Sequence, residues 1–206
     1  LAAETAIGEH PVACAAMIRR LIQQFRSDTG ALASTPNFES AANGPHGGTL
    51  VSAIADSDTI ALAEQDSLPT LHADAMALSD IEQICHGTYS PIDRFLGKEE
   101  LGSVLSENRL LDGTVWPLPI VLPVSTDQAG KLSVGQRVAI RGAQNHLHSI
   151  LDVSEIYEAD LDALASTWFG TRDRNHPGIR SLEGRGSHFV AGKPTLVAAT
   201  RELYSP

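Results

Sequence analysis

Between Ser79 and Phe169 the apolar residues switch from helical spacing to alternation and back, and each switch falls at a turn former. A chain patterned this way cannot form long helices or a repeat array; it must fold from short, mixed elements. Ser79, with Glu82 three residues on, has a capping-box pattern, which predicts a short helix through Ile81, Ile84 and Cys85 that stops at Gly87. Leu101, Val104 and Leu105 share one face of a predicted helix over Lys98 to Asn108, and Leu161, Leu164 and Trp168 share another over Asp160 to Phe169. Pro119 and Pro123 interrupt the apolar run Leu118 to Val124, which suits an edge strand. Val134 to Arg141 alternates, with Val138 and Ile140 on one face, and Leu147 to Tyr157 follows as a long strand after a turn at Asn145. The expected class is α+β, built on a small, irregular barrel of short strands with flanking helices.

Ahead of this region, Pro11 can open a helix to about Ser27 with Cys14, Ile18, Leu21 and Phe25 on one face. From Asp28 the composition turns to Gly, Ala, Ser, Thr, Pro and Asn, and residues 28–44 are expected to be a flexible linker. The 206 residues are 42% hydrophobic, enough for a core, and Leu1 in place of an initiator methionine reads as a fragment of a longer protein. A formal charge of -10 argues against capture of a nucleic-acid backbone, and the few aromatic residues, 5%, argue against stacking on bases. Two distant cysteines, Cys14 and Cys85, give neither a disulfide framework nor a thiolate zinc site, which favours a reducing cytoplasm. No apolar run is long enough to cross a bilayer.

Four motifs stand in order along residues 45–206. The first is Pro45-His46-Gly47-Gly48-Thr49-Leu50, followed after a variable stretch by Leu68-Pro69. The second is Gly87-Thr88-Tyr89-Ser90-Pro91-Ile92. The third, and most specific, is Arg109-Leu110-Leu111-Asp112-Gly113-Thr114-Val115-Trp116-Pro117-Leu118-Pro119-Ile120, and the fourth is Phe169-Gly170-Thr171-Arg172-Asp173 with His176-Pro177-Gly178. In this order and spacing they resemble the N-terminal domain of the ATP sulfurylase family. That resemblance implies a PUA-like pseudobarrel over 45–206 and a scaffold in an enzyme that makes adenylylsulfate and pyrophosphate from ATP and sulfate. Physically the motifs read mostly as structural: Asp112-Gly113 makes a tight turn, Trp116 offers a large apolar surface, and Pro117 and Pro119 stiffen an edge, with a contact surface for a following domain as the alternative for Trp116. His176 is expected to cap or hydrogen-bond backbone in its turn, with a ligand contact as the alternative.

The family's Gln-x-Arg-Asn-Pro-x-His and His-x-x-His motifs, which hold phosphates and sulfate, do not occur in this sequence. The resemblance therefore implies no catalytic, cofactor-binding or metal-binding residue in this chain. ATP and magnesium would belong to the complete enzyme, and the expected partners are other domains of the same polypeptide, not nucleic acid or membrane. A second, shorter resemblance covers Ala3-Glu4-Thr5-Ala6-Ile7-Gly8-Glu9-His10-Pro11-Val12, which is similar to the segment with which pyruvate kinase closes its catalytic barrel. It implies a barrel tail over residues 1–27 and a kinase fused to the sulfurylase-like domain. The alternative function is then a regulatory or binding module on a pyruvate kinase.

Other constellations carry bland and chemical readings side by side. His146 and His148 lie on one face of a strand, where a metal could bridge them, but a turn and strand end explain them as well. Glu99-Glu100 and Asp160 to Asp162 are paired acids, expected at helix starts where carboxylates favour the positive end of the dipole. Arg180, Arg185 and Lys193 flank Gly184-Arg185-Gly186-Ser187, which could cradle an anion or simply turn a hairpin.

Overall fold

The structure is a computed structural model that describes residues 45–56, 59–60, 68–142 and 145–197. The kinase-like segment over 1–27 and the linker over 28–44 lie outside the described residues. Five strands, β1 (Thr70–His72), β2 (Pro123–Val124), β3 (Arg137–Arg141), β4 (Leu147–Glu158) and β5 (His188–Leu196), form one sheet in the order β1-β3-β4-β5-β2. The β1–β3 pair is parallel and the rest are antiparallel. The sheet curls into a half-barrel, and among the described residues five helices flank it in a mixed α+β domain: α1 (Ala75–Cys85), α2 (Lys98–Glu107), α3 (Thr126–Ala129), α4 (Leu161–Trp168) and α5 (Pro177–Arg185).

Helix α1 begins earlier than the capping-box pattern predicts. Asp74 is its N-cap, with the carboxylate accepting the Ala77 N–H, so Ser79 falls inside the helix. Glu82 does not turn back to cap; it is buried against His148. The apolar face Ala77, Leu78, Ile81, Ile84 and Cys85 packs on β5, and Gly87, at φ 81°, turns the chain out. Helix α2 runs one residue short of expectation, because Asn108 takes the left-handed conformation at its end. Asp160 caps α4 by accepting the Ala163 N–H.

Strand β5 organises the sheet. One edge pairs with β4 along its length, while the other is shared by Ile54, Phe95 and β2, which bond it at Leu196, Gly192 and His188–Phe189. The apolar run before β2 is indeed peripheral, but only Pro123–Val124 forms a strand; Pro119 to Leu122 are buried and bonded singly, through Ile120 O to Leu96 N–H and Leu122 O to Val190 N–H. Core side chains come from both layers: Ile81, Ile84, Phe95, Ile140, Leu151 and Phe189 are fully buried. Ala139, expected on the outer face of β3, is buried as well.

Candidate functional site

Three of the four motifs meet in one place. Pro45 and Gly48 close a turn through a 2.8 Å bond, and from this turn the His46 Nε2 lies 2.6 Å from Val115 O. The His46 ring stacks near Trp116, with centroids 6.5 Å apart, and Tyr89 meets Trp116 edge-on at 6.3 Å. Gly47 sits against the Pro91 ring, where a Cβ would come within 2.5 Å of Cγ. Ser90 ties the second motif to the residue after the first: its hydroxyl accepts the Val51 N–H at 3.0 Å and donates to Gly87 O at 2.6 Å. The Ser90–Pro91 peptide bond is cis.

The third motif is a hairpin that satisfies itself. Asp112 accepts the Thr114 N–H at 2.8 Å, Arg109 donates to Gly113 O, and Arg109 bridges Val115 across the strands. Thr114's backbone and side-chain hydrogen bonds hold the Asp112 carboxyl below the usual carboxylate range. Trp116 is buried, its indole N–H donating to Leu118 O at 2.6 Å, while Pro117 is exposed beside it. Tyr89 donates to Asp80 at 3.2 Å; burial, then the Asp80 charge, raises the phenol, and burial raises Asp80.

The fourth motif forms a separate cluster. Trp168 stacks on Phe169 and His176 lies tilted against Phe169, each pair with centroids 5.0 Å apart, and Gly178 lies against Phe169, where a Cβ would meet the ring at 2.7 Å. Gly170 turns at φ 68°, and Pro177 opens α5. His176 occupies the N-cap by its backbone only: its side chain makes no cap bond, and Nδ1 is buried without a hydrogen-bond partner. The imidazole expected to cap or hydrogen-bond backbone instead lies tilted against the Phe169 ring. Among the described residues, no hydrogen bond or ring contact joins this cluster to the other three motifs.

The remaining constellations resolve into structure. His148 is fully buried, 3.3 Å from Glu82 Oε1 and 3.4 Å from Ser149 Oγ. Burial lowers its basicity against the opposing effect of Glu82. Among the described residues no group of three His, Cys, Asp or Glu could hold a metal ion. Glu99, Glu100 and Asp162 lie in first turns of α2 and α4. The Gly184–Ser187 stretch is neither hairpin nor anion cradle. It is the end of α5 leading into β5, and a helix C-terminus carries the negative end of the dipole. Arg185 is bound to Asp74 at 2.7 Å, and Lys193 to Asp93 at 3.0 Å. Burial opposes the ionised Asp93, but Arg94 and Lys193 outweigh it and hold the carboxyl low.

A groove of about 890 Å³ separates α2 from α4, lined by Leu101, Leu105, Tyr157 and Leu164 with Lys98 and Asp160 among its polar groups. The Tyr157 hydroxyl is already spent on Leu96 O. Sequence reasoning missed the Glu82–His148, Asp74–Arg185 and Asp93–Lys193 pairs because each joins residues far apart in the chain.

Residues 43–199 match the model of the PUA-like domain family. The chain belongs to that family. This PUA-like domain is also similar to curated sulfate adenylyltransferases: 38% identical over 155 residues to that of Synechococcus sp. (strain JA-3-3Ab), covering 74% of this chain and 39% of the relative. Against the sulfate adenylyltransferase of Chloroflexus aurantiacus (strain J-10-fl) it is 38% identical over 157 residues, covering 76% of this chain and 40% of the relative. Thus the chain spans about two fifths of the length of the curated relatives it matches. Among solved structures, a hexameric APS kinase from Thiobacillus denitrificans superposes with a TM-score of 0.58 and 25% identity, over 76% of this chain and 27% of that one. No helix among the described residues is long and apolar enough to cross a membrane.

Proposed function

We propose that the PUA-like domain is the non-catalytic N-terminal scaffold of a sulfate-activating ATP sulfurylase, an enzyme that converts ATP and sulfate to adenylylsulfate and pyrophosphate. The observation that carries this reading is the convergence of three motifs into a brace, through the His46–Val115 bond and the ring contacts of His46 and Tyr89 with Trp116. Homology to sulfate adenylyltransferases supports the enzyme class. ATP and magnesium are assigned to a companion domain; of the three cations flanking the Gly-rich stretch, Arg185 and Lys193 are already bound to carboxylates. A cytoplasmic setting belongs to the same proposal.

The test is a paired assay of the complete polypeptide encoded by the reading frame and of this chain alone. The complete protein should release pyrophosphate from ATP only when sulfate is present, and this chain should stay at the buffer blank. Adenylylsulfate formed by this chain above the blank would sink the non-catalytic assignment.

A second reading rests on Ala3–Val12, whose likeness to a pyruvate kinase barrel segment favours a domain appended to that kinase. Pyruvate formation from phosphoenolpyruvate and ADP, without sulfate-dependent pyrophosphate release, would select it.

A further inference from the structure

The groove between α2 and α4 is an open trough. Its floor is apolar and closed: Leu101, Leu164 and Tyr157 are buried, and the Tyr157 hydroxyl donates to Leu96 O. Its lips are made of small residues. Gly102 and Ser106 line it one turn apart on α2, as do Ala163 and Thr167 on α4, and all four are exposed. The two hydroxyls donate back to their own helices, Ser106 to Gly102 O at 2.8 Å and Thr167 to Ala163 O at 3.1 Å, so the lips require no outside polar partner.

Gly102 has no reason within this domain. It stands in the middle of α2, where glycine is the poorest helix former after proline. Its φ is not positive, and an added Cβ would meet nothing within 4 Å. Gly184 is as open, but it stands in the last turn of α5, where a helix is already ending. What Gly102 supplies is one wall of the trough without a side chain, which lets the axis of another helix come close.

The charge around the trough is one-sided. Residues 98–107 and 158–168 hold one lysine against six carboxylates, a net charge of -5. Glu158 and Asp160 line the trough itself, and among the described residues neither forms an ion pair. A second copy of this chain brings the same acidic surface and a total charge of -10, so charge opposes self-association here.

We propose that the trough receives a basic amphipathic helix presented by another protein. The apolar stripe of that helix lies on Leu101, Leu105 and Leu164, its axis passes over Gly102, and its arginine or lysine side chains meet Glu158 and Asp160. Shape selects a helix over a small molecule. Helices α2 and α4 are 10 and 8 residues long, which makes the trough about 12–15 Å in length and open along it. A small-molecule pocket instead closes around most of its ligand.

The test uses the 206-residue chain and a fluorescent peptide of about 15 residues, with leucine at helical spacing on one face and arginine beside it. One control peptide carries glutamate in place of arginine, and another keeps the composition but scatters the leucines around the helix. Fluorescence anisotropy should show saturable binding of the first peptide, about tenfold or more tighter than either control. No binding of the first peptide overturns the inference. So does equal binding of the scattered peptide, which would be general attraction to an acidic chain, or of the glutamate peptide.

The G102L variant fills the trough without changing its charge. It should hold or raise the urea midpoint, because leucine is the better helix former, and weaken binding of the first peptide about tenfold or more. Undiminished binding by G102L places the peptide elsewhere on the chain and overturns the inference. In E158Q/D160N, asparagine keeps the α4 cap. That variant should weaken binding about two- to tenfold at low salt and flatten its salt dependence. No change there removes the basic helix as the occupant.

Discussion

Gly47 and Gly48 offer a controlled test of the brace, because they share a backbone conformation and differ in surroundings. Their φ angles are 74° and 79°, so alanine at either meets the same left-handed penalty of about 1–2 kcal/mol. At Gly48 a Cβ finds no heavy atom within 4 Å, whereas at Gly47 it would lie 2.5, 2.9 and 3.0 Å from three atoms of the Pro91 ring. That ring cannot swing away as a flexible side chain would, so relief requires backbone movement, at a further cost of about 1–3 kcal/mol. Gly48→Ala should therefore cost about 1–2 kcal/mol and Gly47→Ala about 2–5 kcal/mol. Urea unfolding followed by tryptophan fluorescence, with midpoints converted through a shared m-value, separates the two. In a thermal melt each kcal/mol should appear as about 2–4 °C for a domain of this size. Equal losses would show that Gly47 is needed only for its dihedral angle and that the strap from His46 to Ile54 does not lean on Pro91. No loss in either would show that the strap detaches without the core noticing.

The buried Glu82–His148 pair gives a pH dependence. An unfolded histidine takes its proton near pH 6.5, but burial delays protonation of His148 to lower pH, so the unfolded state binds more protons in between and stability is lost as pH falls below about 6.5. Urea midpoints should drop between about pH 7.5 and about pH 5.5, and an E82L/H148L variant should show a shallower drop. H148L alone should cost about 1–3 kcal/mol, and more than the double variant, because it takes one hydrogen bond from a buried carboxylate; equal costs would refute the pairing. Burial pushes the Cys85 thiol up to about 11, so in a Cys14→Ser background it should resist a thiol reagent at neutral pH until urea unfolds the chain. Rapid stoichiometric labelling of the native chain would contradict that. Asp74→Ala should cost about 1 kcal/mol through the lost α1 cap, read as a midpoint shift, and no shift would mean that another group caps the helix.

The sequence was legible where local rules and tertiary packing agree. Leu101 and Val104 mark α2, Asp160 caps α4, and Asn145, at φ 64°, turns the chain into β4. It misled where a residue fitted two rules. Ser79 and Glu82 spell a capping box, but Asp74 caps the helix first and Glu82 is drawn inward by His148. Strand β5 went unread because Gly192 and Pro194 look like breakers. In the sheet, Gly192 stands where a Cβ would come within 2.4 Å of Asp152 O, beside the register shift at Val153–Glu155, so close approach of two backbones explains the glycine. Helix α3 carried a readable signal, Ser125 with Gln128, whose two capping bonds both form.

The motif residues were found by resemblance, and their chemistry then limits what they can do. Histidine, tyrosine, serine, arginine, aspartate and tryptophan together could serve a ligand if their polar atoms faced a cavity. Here His46 lies against Val115 O, Tyr89 donates to Asp80, Ser90 is engaged twice, Arg109 and Asp112 close the hairpin, and Trp116 donates to Leu118 O. A ligand entering this cluster would have to break bonds that hold the hairpin and strap in place, losing roughly 1 kcal/mol for each ordinary hydrogen bond. Such a cluster is better suited to fixing the shape of a surface than to binding within itself.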